Sequence, residues 1–142
     1  MSVLAQVLCL GVVLTRMLVH PPRSSPILLT RGVQLGLIAF LLGTVPGAAM
    51  IIANAHTIGA PDGGPGMPVV QWSTIAGDLR IAHFLGLHGK QIFPLMGFAL
   101  ARWDGFTDSR AKRALAISFV VYAGAMAATM IQAMLGLPLF QG

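Results

Sequence analysis

The chain alternates between long apolar runs and short polar breaks. Four runs stand out, at about residues 2–19, 32–55, 79–101 and 114–135. Each has about the length an α-helix needs to cross the ~30 Å hydrocarbon core of a bilayer. A spanning segment must satisfy its own backbone hydrogen bonds, so it is a helix or part of a closed barrel. A barrel reads as many short segments of alternating polarity, and these runs do not alternate. The pattern predicts an all-α fold: an integral membrane four-helix bundle, one domain over 1–142, with a long structured loop between helices two and three.

The breaks support this division. "HPPRSSP" (20–26) cannot continue a helix, because its prolines lack the N–H and its serines favour turns. The loop at 56–78, "HTIGAPDGGPGMPVVQWSTIAGD", is too long for a simple connection. Asp62-Gly63 is a turn signal, "MPVVQW" suits a short extended piece, and Asp78 is placed to cap helix three. Trp72, with an apolar body and one N–H donor, suits a membrane interface. The loop reads as a structured connector or a shaped lid, and its glycines lack the GK[ST] of a phosphate-binding loop.

Composition moves the picture from helical to membrane-embedded. The chain is 56% hydrophobic and 9% charged, whereas a soluble domain is about 25% charged. It contains no Glu, and its acids are Asp62, Asp78, Asp104 and Asp108. The net charge of +5 does not imply nucleic acid, because the basic residues flank apolar runs instead of forming a patch. Arg16, Arg23, Arg31, Arg102, Arg110, Lys112 and Arg113 lie near the first and third loops, against Arg80 alone near the second. That bias predicts loops 20–31 and 102–113 on the cytoplasmic side, and both termini and the 56–78 loop on the periplasmic side. The N-terminal run has no basic n-region and no small-residue cleavage site, so it reads as a retained helix. Cys9 allows no internal disulfide and reads as a small buried hydrophobe.

Helix three carries the chemistry. In "LRIAHFLGLHGKQIFPL" (79–95), His83, Leu87, Lys90, Gln91 and Pro94 follow one helical face. His88 lies roughly 140° away from His83 at 3.6 residues per turn, so the two do not chelate one ion on a regular helix. His56, at the end of helix two, pairs better with His83, either as a metal site for Zn²⁺ or Cu²⁺ or as a pair bridged through water to a loop Asp. His83, His88 and Gln91 are candidate cofactor contacts: haem, a quinone held by hydrogen bonds, or a pigment ligated through its magnesium. Haem would need a second chain or a five-coordinate site, because only helix three puts histidines well inside the membrane. Lys90 sits roughly 15 Å into the helix, where a charge costs about 2.5–3.5 kcal/mol. No carboxylate lies in any of the four runs. The candidate partners for Lys90 are Tyr122, Thr129 or Gln132 of helix four, water, a lipid headgroup, a cofactor or another subunit. Gly124-x-x-x-Ala128 is a small-residue pattern that permits close helix contact.

"AHTIGAPDGGPGMPVVQWS" followed by "GDLRIAHFLGLHGKQIFPL" resembles a group of uncharacterised bacterial multi-pass membrane proteins with the pattern HTxG…DGGPG…WS…GDLRxxHFxGxHxxQxxPL. The resemblance covers about 32–101. It implies a bacterial inner (cytoplasmic) membrane location and carries no activity with it. A site of His56, His83, His88 and Gln91 in that group would be kept here, and Lys90 departs from the small or apolar residue expected.

There is no Ser-His-Asp arrangement, no carboxylate pair, no HExxH and no CxxC, and no intramembrane carboxylate for a proton relay. The expectation is a non-enzymatic accessory or scaffolding subunit of a larger photosynthetic or respiratory complex. It would contact lipid and other transmembrane subunits through Lys90, Trp72, Gly124 and Ala128. The alternative is a metal-, haem-, pigment- or quinone-binding redox protein using His56, His83 and His88.

Overall fold

The computed structural model describes residues 2–103, 105 and 107–140. Four helices dominate: α1 Val3–Val19, α2 Ile27–Ala53, α3 Leu79–Arg102 and α4 Asp108–Met134. Two short strands, β1 Thr57–Ile58 and β2 Gly77–Asp78, pair antiparallel within the long connection. The α2 and α4 helices are long and apolar enough to cross a membrane, while α1 is a shorter apolar helix of 17 residues. The two histidines, Lys90 and Gln91 dilute the apolar content of α3.

Two helices begin earlier than the apolar runs do. The α2 helix starts at Ile27, not 32, because Pro26 stands at its N-cap and its carbonyl accepts from Thr30 N at 3.0 Å. The α4 helix starts at Asp108, not 114, with the Thr107 hydroxyl accepting from Arg110 N and Asp108 in its first turn. Thr107 and Asp108 make the first turn of α4 polar, where a side-chain acceptor and an acid meet the free N–H groups, whereas α2 opens on the apolar Ile27, Leu28 and Leu29, which Thr30 and Arg31 separate from the run that begins at 32. The α2 helix ends at Ala53, where Asn54 takes a left-handed cap at φ 47°. As expected, Asp78 caps α3, accepting from Arg80 N at 3.0 Å.

The backbone of the fold is the α2–α3 pair, and glycines let it close. A Cβ on Gly43 would stand 2.5 Å from Gly86 Cα, and one on Gly36 would stand 2.8 Å from Gly89 O. Gly32 and Gly97 are blocked in the same way by backbone carbonyls of the facing helix, and Gly89 by the Ala39 methyl. This small-residue seam runs the length of both helices. The pattern singled out in α4 does no such work within the chain: Gly124 has nothing within 4 Å of a built Cβ, and Ala128 is exposed.

α4 packs on the pair through aromatic rings. Phe93 of α3 is almost fully buried and meets Phe119 and Tyr122 of α4 edge-on, at 5.4 and 5.3 Å between centroids. Leu28, Ala39, Leu100, Ala111 and Leu115 complete this core. α1 sits against α2 more loosely. Leu14 is its only buried residue, and Gln34 Nε2 donates to Met17 O at 2.8 Å near its C-terminal end. Cys9 is exposed, against the expectation of burial, because α1 presents most of its surface outward.

Candidate functional site

The long connection is a two-tier cap. Its outer tier is the β1–β2 ladder, and its inner tier is an antiparallel bridge between Gly66 and Ser73. Met67 N donates to Trp72 O at 2.8 Å across the inner turn, so "MPVVQW" forms a tight reversal. Asp78 anchors the cap to α3. Its side chain, 1% exposed, accepts from Ser73 N at 2.9 Å and from the Arg80 guanidinium at 2.6 Å. The same guanidinium donates to Gln71 O. Burial alone would raise the Asp78 carboxyl, but the Arg80 guanidinium and the N–H groups of Ser73 and Arg80 hold it below its ordinary 3.8.

A second carboxylate ties the start of the cap. Asp62 accepts from the Thr57 hydroxyl, from Thr57 N at 2.9 Å and from His56 N at 3.1 Å. Its Oδ2 lies 3.4 Å from His56 Nε2. The Thr57 hydroxyl lowers the Asp62 carboxyl below its ordinary 3.8, and the backbone donors and the His56 ring act in the same direction. His56 thus meets a loop aspartate directly. Its Nδ1 is buried with no hydrogen-bond partner.

Below the cap, α1, α2 and α3 enclose an open cleft of about 1080 Å³. Val3, Leu4 and Val7 form its α1 wall, and Phe40, Thr44, Gly47 and Ile51 its α2 wall. His56, Asp62 and Arg80 stand at the cap end, and His83, Leu87 and Lys90 follow along α3. His83 Nδ1 lies 2.8 Å from Gly43 O. Pro46, inside α2, has no N–H and its ring crowds the preceding turn. The missing N–H leaves Leu42 O without its helical donor, and His83 donates to the next carbonyl along, Gly43 O. The ammonium of Lys90 lies 4.7 Å from the centre of the Phe40 ring. Among the described residues no carboxylate is within ion-pair distance of it.

The predicted site residues separate into three groups. His56, His83 and Lys90 line the cleft together. His88 does not: its Nδ1 bonds Phe84 O at 2.8 Å, and its ring lies against Phe84, which in turn meets Trp72 edge-on at 5.5 Å. Gln91 is exposed and outside the cleft, so the expected trio of His83, His88 and Gln91 is not assembled. The partners expected for Lys90 on α4 are engaged elsewhere. Tyr122 donates to Leu85 O, Gln132 to Pro138 O at 2.7 Å, and Thr129 to carbonyls of its own helix. Lys90 faces α2 instead. Among the described residues no group of three or more His, Cys, Asp or Glu side chains gathers as a metal site, so the His56–His83 pair gains no third ligand.

Sequence reasoning missed Phe40, Gly43 and Gly47 as parts of the site. The signal was present: Gly43 and Gly47 flank Pro46, and a glycine at 47 leaves room for the His83 ring, which a Cβ there would meet at 2.8 Å. The chain matches no protein-family model, no curated protein and no solved structure.

Proposed function

We propose that this chain is a four-span membrane protein that binds a lipid-soluble carbonyl compound of the quinone class in the cleft between α1, α2 and α3. The observation that carries the reading is Lys90, which lines the same cleft as His83 and lies over the Phe40 ring, with no carboxylate among the described residues to neutralise it. A buried ammonium is costly unless an acceptor meets it. A quinone brings a carbonyl for Lys90, a flat ring for the Phe40 side and an apolar tail that leaves through the open side of the cleft. Haem fits less well, because its apolar edge would lie against Lys90 if its propionates reached the Arg80 end.

The membrane setting is part of the proposal. The α2 and α4 lengths support two spans, and the apolar surface of α1 together with the central place of α3 supports the other two. The Arg and Lys bias supports an inner-membrane orientation with loops 20–31 and 102–113 cytoplasmic and the cap periplasmic. A cysteine at Gly63 in a Cys9→Ser background is expected to react with an impermeant thiol reagent from the periplasmic side only.

The binding test is titration of the detergent-purified chain with a short-chain ubiquinone. Saturable binding is expected, weakened at least about tenfold by Lys90→Met, the loss of one charged hydrogen bond. Equal binding by the variant would overturn the reading. One observation favours a second role beside it. Gly124 and Ala128 present an open small-residue face on α4, which suits an accessory subunit packing against another helix. Co-purification with larger respiratory or photosynthetic subunits at fixed stoichiometry, lost in Gly124→Leu, is the result that reading expects.

A further inference from the structure

The proposed cleft has polar contacts of fixed and opposite character. A carbonyl oxygen only accepts, so the 2.8 Å contact with Gly43 O puts a proton on His83 Nδ1. In the neutral ring Nε2 is then a bare acceptor. Lys90 has the reverse character, since an ammonium offers donors and no lone pair. A head that satisfies both must present a hydroxyl to His83 and an acceptor oxygen to Lys90.

The two redox forms of a quinone differ in this respect. A quinol carries hydroxyls, so one O–H donates to Nε2 while the other oxygen accepts from Lys90. A quinone carries only acceptors, so the oxygen at His83 faces a lone pair. That conflict disappears when His83 takes a second proton, because the imidazolium donates from both nitrogens. Resting on the quinone-class reading above, we infer that the cleft selects the reduced quinol over the quinone while His83 is neutral, and gives up that selection as His83 becomes protonated. The Gly43 contact is what makes the site discriminate: a ring free to change tautomer would serve either form.

The groups that share the cleft with His83 bound the pH argument. Lys90 and Arg80 come from α3 itself, and His56 and Asp62 from the connection. Among the described residues the cleft walls of α1 and α2 add no titratable side chain, Gln6, Thr44 and Asn54 being neutral. Lys90 donates in either protonation state. Arg80 is held by Asp78. Among the described residues His56 is the other histidine of the cleft, and it is separable by substitution.

The test uses the full chain in lipid nanodiscs, kept anaerobic, with ubiquinone-1 and its chemically reduced quinol as probes. Dissociation constants are measured at about pH 8.5 and about pH 5.5. At the higher pH the quinol is expected to bind about tenfold more tightly, the value of one hydrogen bond gained against one repelled. The ratio is expected to fall toward one at the lower pH. His83→Gln, whose amide turns to offer either a donor or an acceptor, is expected to bind both forms equally at both pH values. His56→Gln is expected to keep the pH-dependent ratio. Binding of both forms with a ratio that does not change with pH, or a ratio that still changes in His83→Gln, overturns the selection and leaves the cleft reading standing. Failure of both probes to bind overturns the cleft reading with it.

Discussion

The two sides of the α2–α3 pair are built on opposite plans. On the α4 side, rings and branched side chains fill the space: Phe93, Phe119 and Tyr122 meet edge-on, and Leu115 and Ala111 are 1% exposed. On the α1 side, the same two helices leave a cleft of about 1080 Å³ and turn His83 and Lys90 toward it. Dense packing excludes any ligand and specifies one arrangement of side chains. An open cleft gives up contacts that packing would supply, and a lone lysine in it adds a cost. That asymmetry is what the proposed binding reading rests on.

The largest expected effect breaks the frame on which both sides stand. Gly86 lies against the Gly43 backbone with no room for a side chain. Gly86→Val has no flexible neighbour to displace, so the helices must part. Overpacking of a core costs about 1–3 kcal/mol where side chains can yield. Here backbone must move, and the variant is expected to lose the compact fold, seen as loss of monodisperse protein in detergent and early unfolding in a denaturing-detergent titration. Both sides would fail together, cleft and core alike.

Next comes a substitution that separates the sides. Phe93→Ala empties the centre of the α4 side, and its cost is expected to be about 3–5 kcal/mol, as for a buried aromatic elsewhere. Leu87→Ala trims a half-buried side chain on the α3 wall of the cleft, where less surface leaves contact, and it is expected to cost about 1 kcal/mol. The comparison is read as two midpoints in one denaturing-detergent titration. Equal losses would mean that the α1 side is packed after all.

The cap adds a pH-dependent term. Asp78 keeps a carboxyl pKa below 3.8 in the folded chain. A group depressed in the folded state contributes stability that is present above its unfolded value and is lost as pH falls through the folded value. Stability is therefore expected to hold through neutral pH and to decline below about pH 4. Asp78→Asn is expected to cost about 2 kcal/mol at pH 7, since it leaves the Arg80 guanidinium and the Ser73 N–H short of their acceptor. It is also expected to flatten the acid limb. An acid limb of equal slope in the variant would assign the term to Asp62 instead.

Much of the frame was readable along the chain, and the parts that were not share a cause. Apolar runs locate four helices, and Asp78 announces its cap, because both are local properties. The start of α4 lies in polar residues, and Thr30 and Arg31 cut the apolar start of α2 off from the run that follows, so hydrophobicity alone places both late. The helical face through His83 and Lys90 is right as far as it goes. Gln91 falls off it because an apolar stripe about 100° wide does not say where its edge lies, and the packed neighbours decide that. Which helix Lys90 faces is a matter of tertiary contact, and helix four was the wrong choice. The seam was legible in Gly32, Gly36, Gly43, Gly86, Gly89 and Gly97, yet glycine spacing matters only once a partner helix is known. Without that partner, the exposed pair in α4 looked equally good.

That exposed pair supplies the smallest expected effect and the sharpest form of the comparison. Gly124→Val makes the same chemical change as Gly86→Val, in another apolar helix of the same chain. A Cβ at Gly124 meets nothing within 4 Å, so no contact is lost and no backbone must move. The change in stability of the isolated chain is expected to stay within about 0.5 kcal/mol, as for an exposed position, and quinone binding is expected to be unchanged. A loss of more than that in the purified chain would mean that α4 is already covered, most simply by a second copy, and cross-linking at Ala128→Cys in a Cys9→Ser background would then capture a dimer. If the loss appears only in native membranes, the face is filled there by another protein's helix, and the open side of α4 belongs to an assembly.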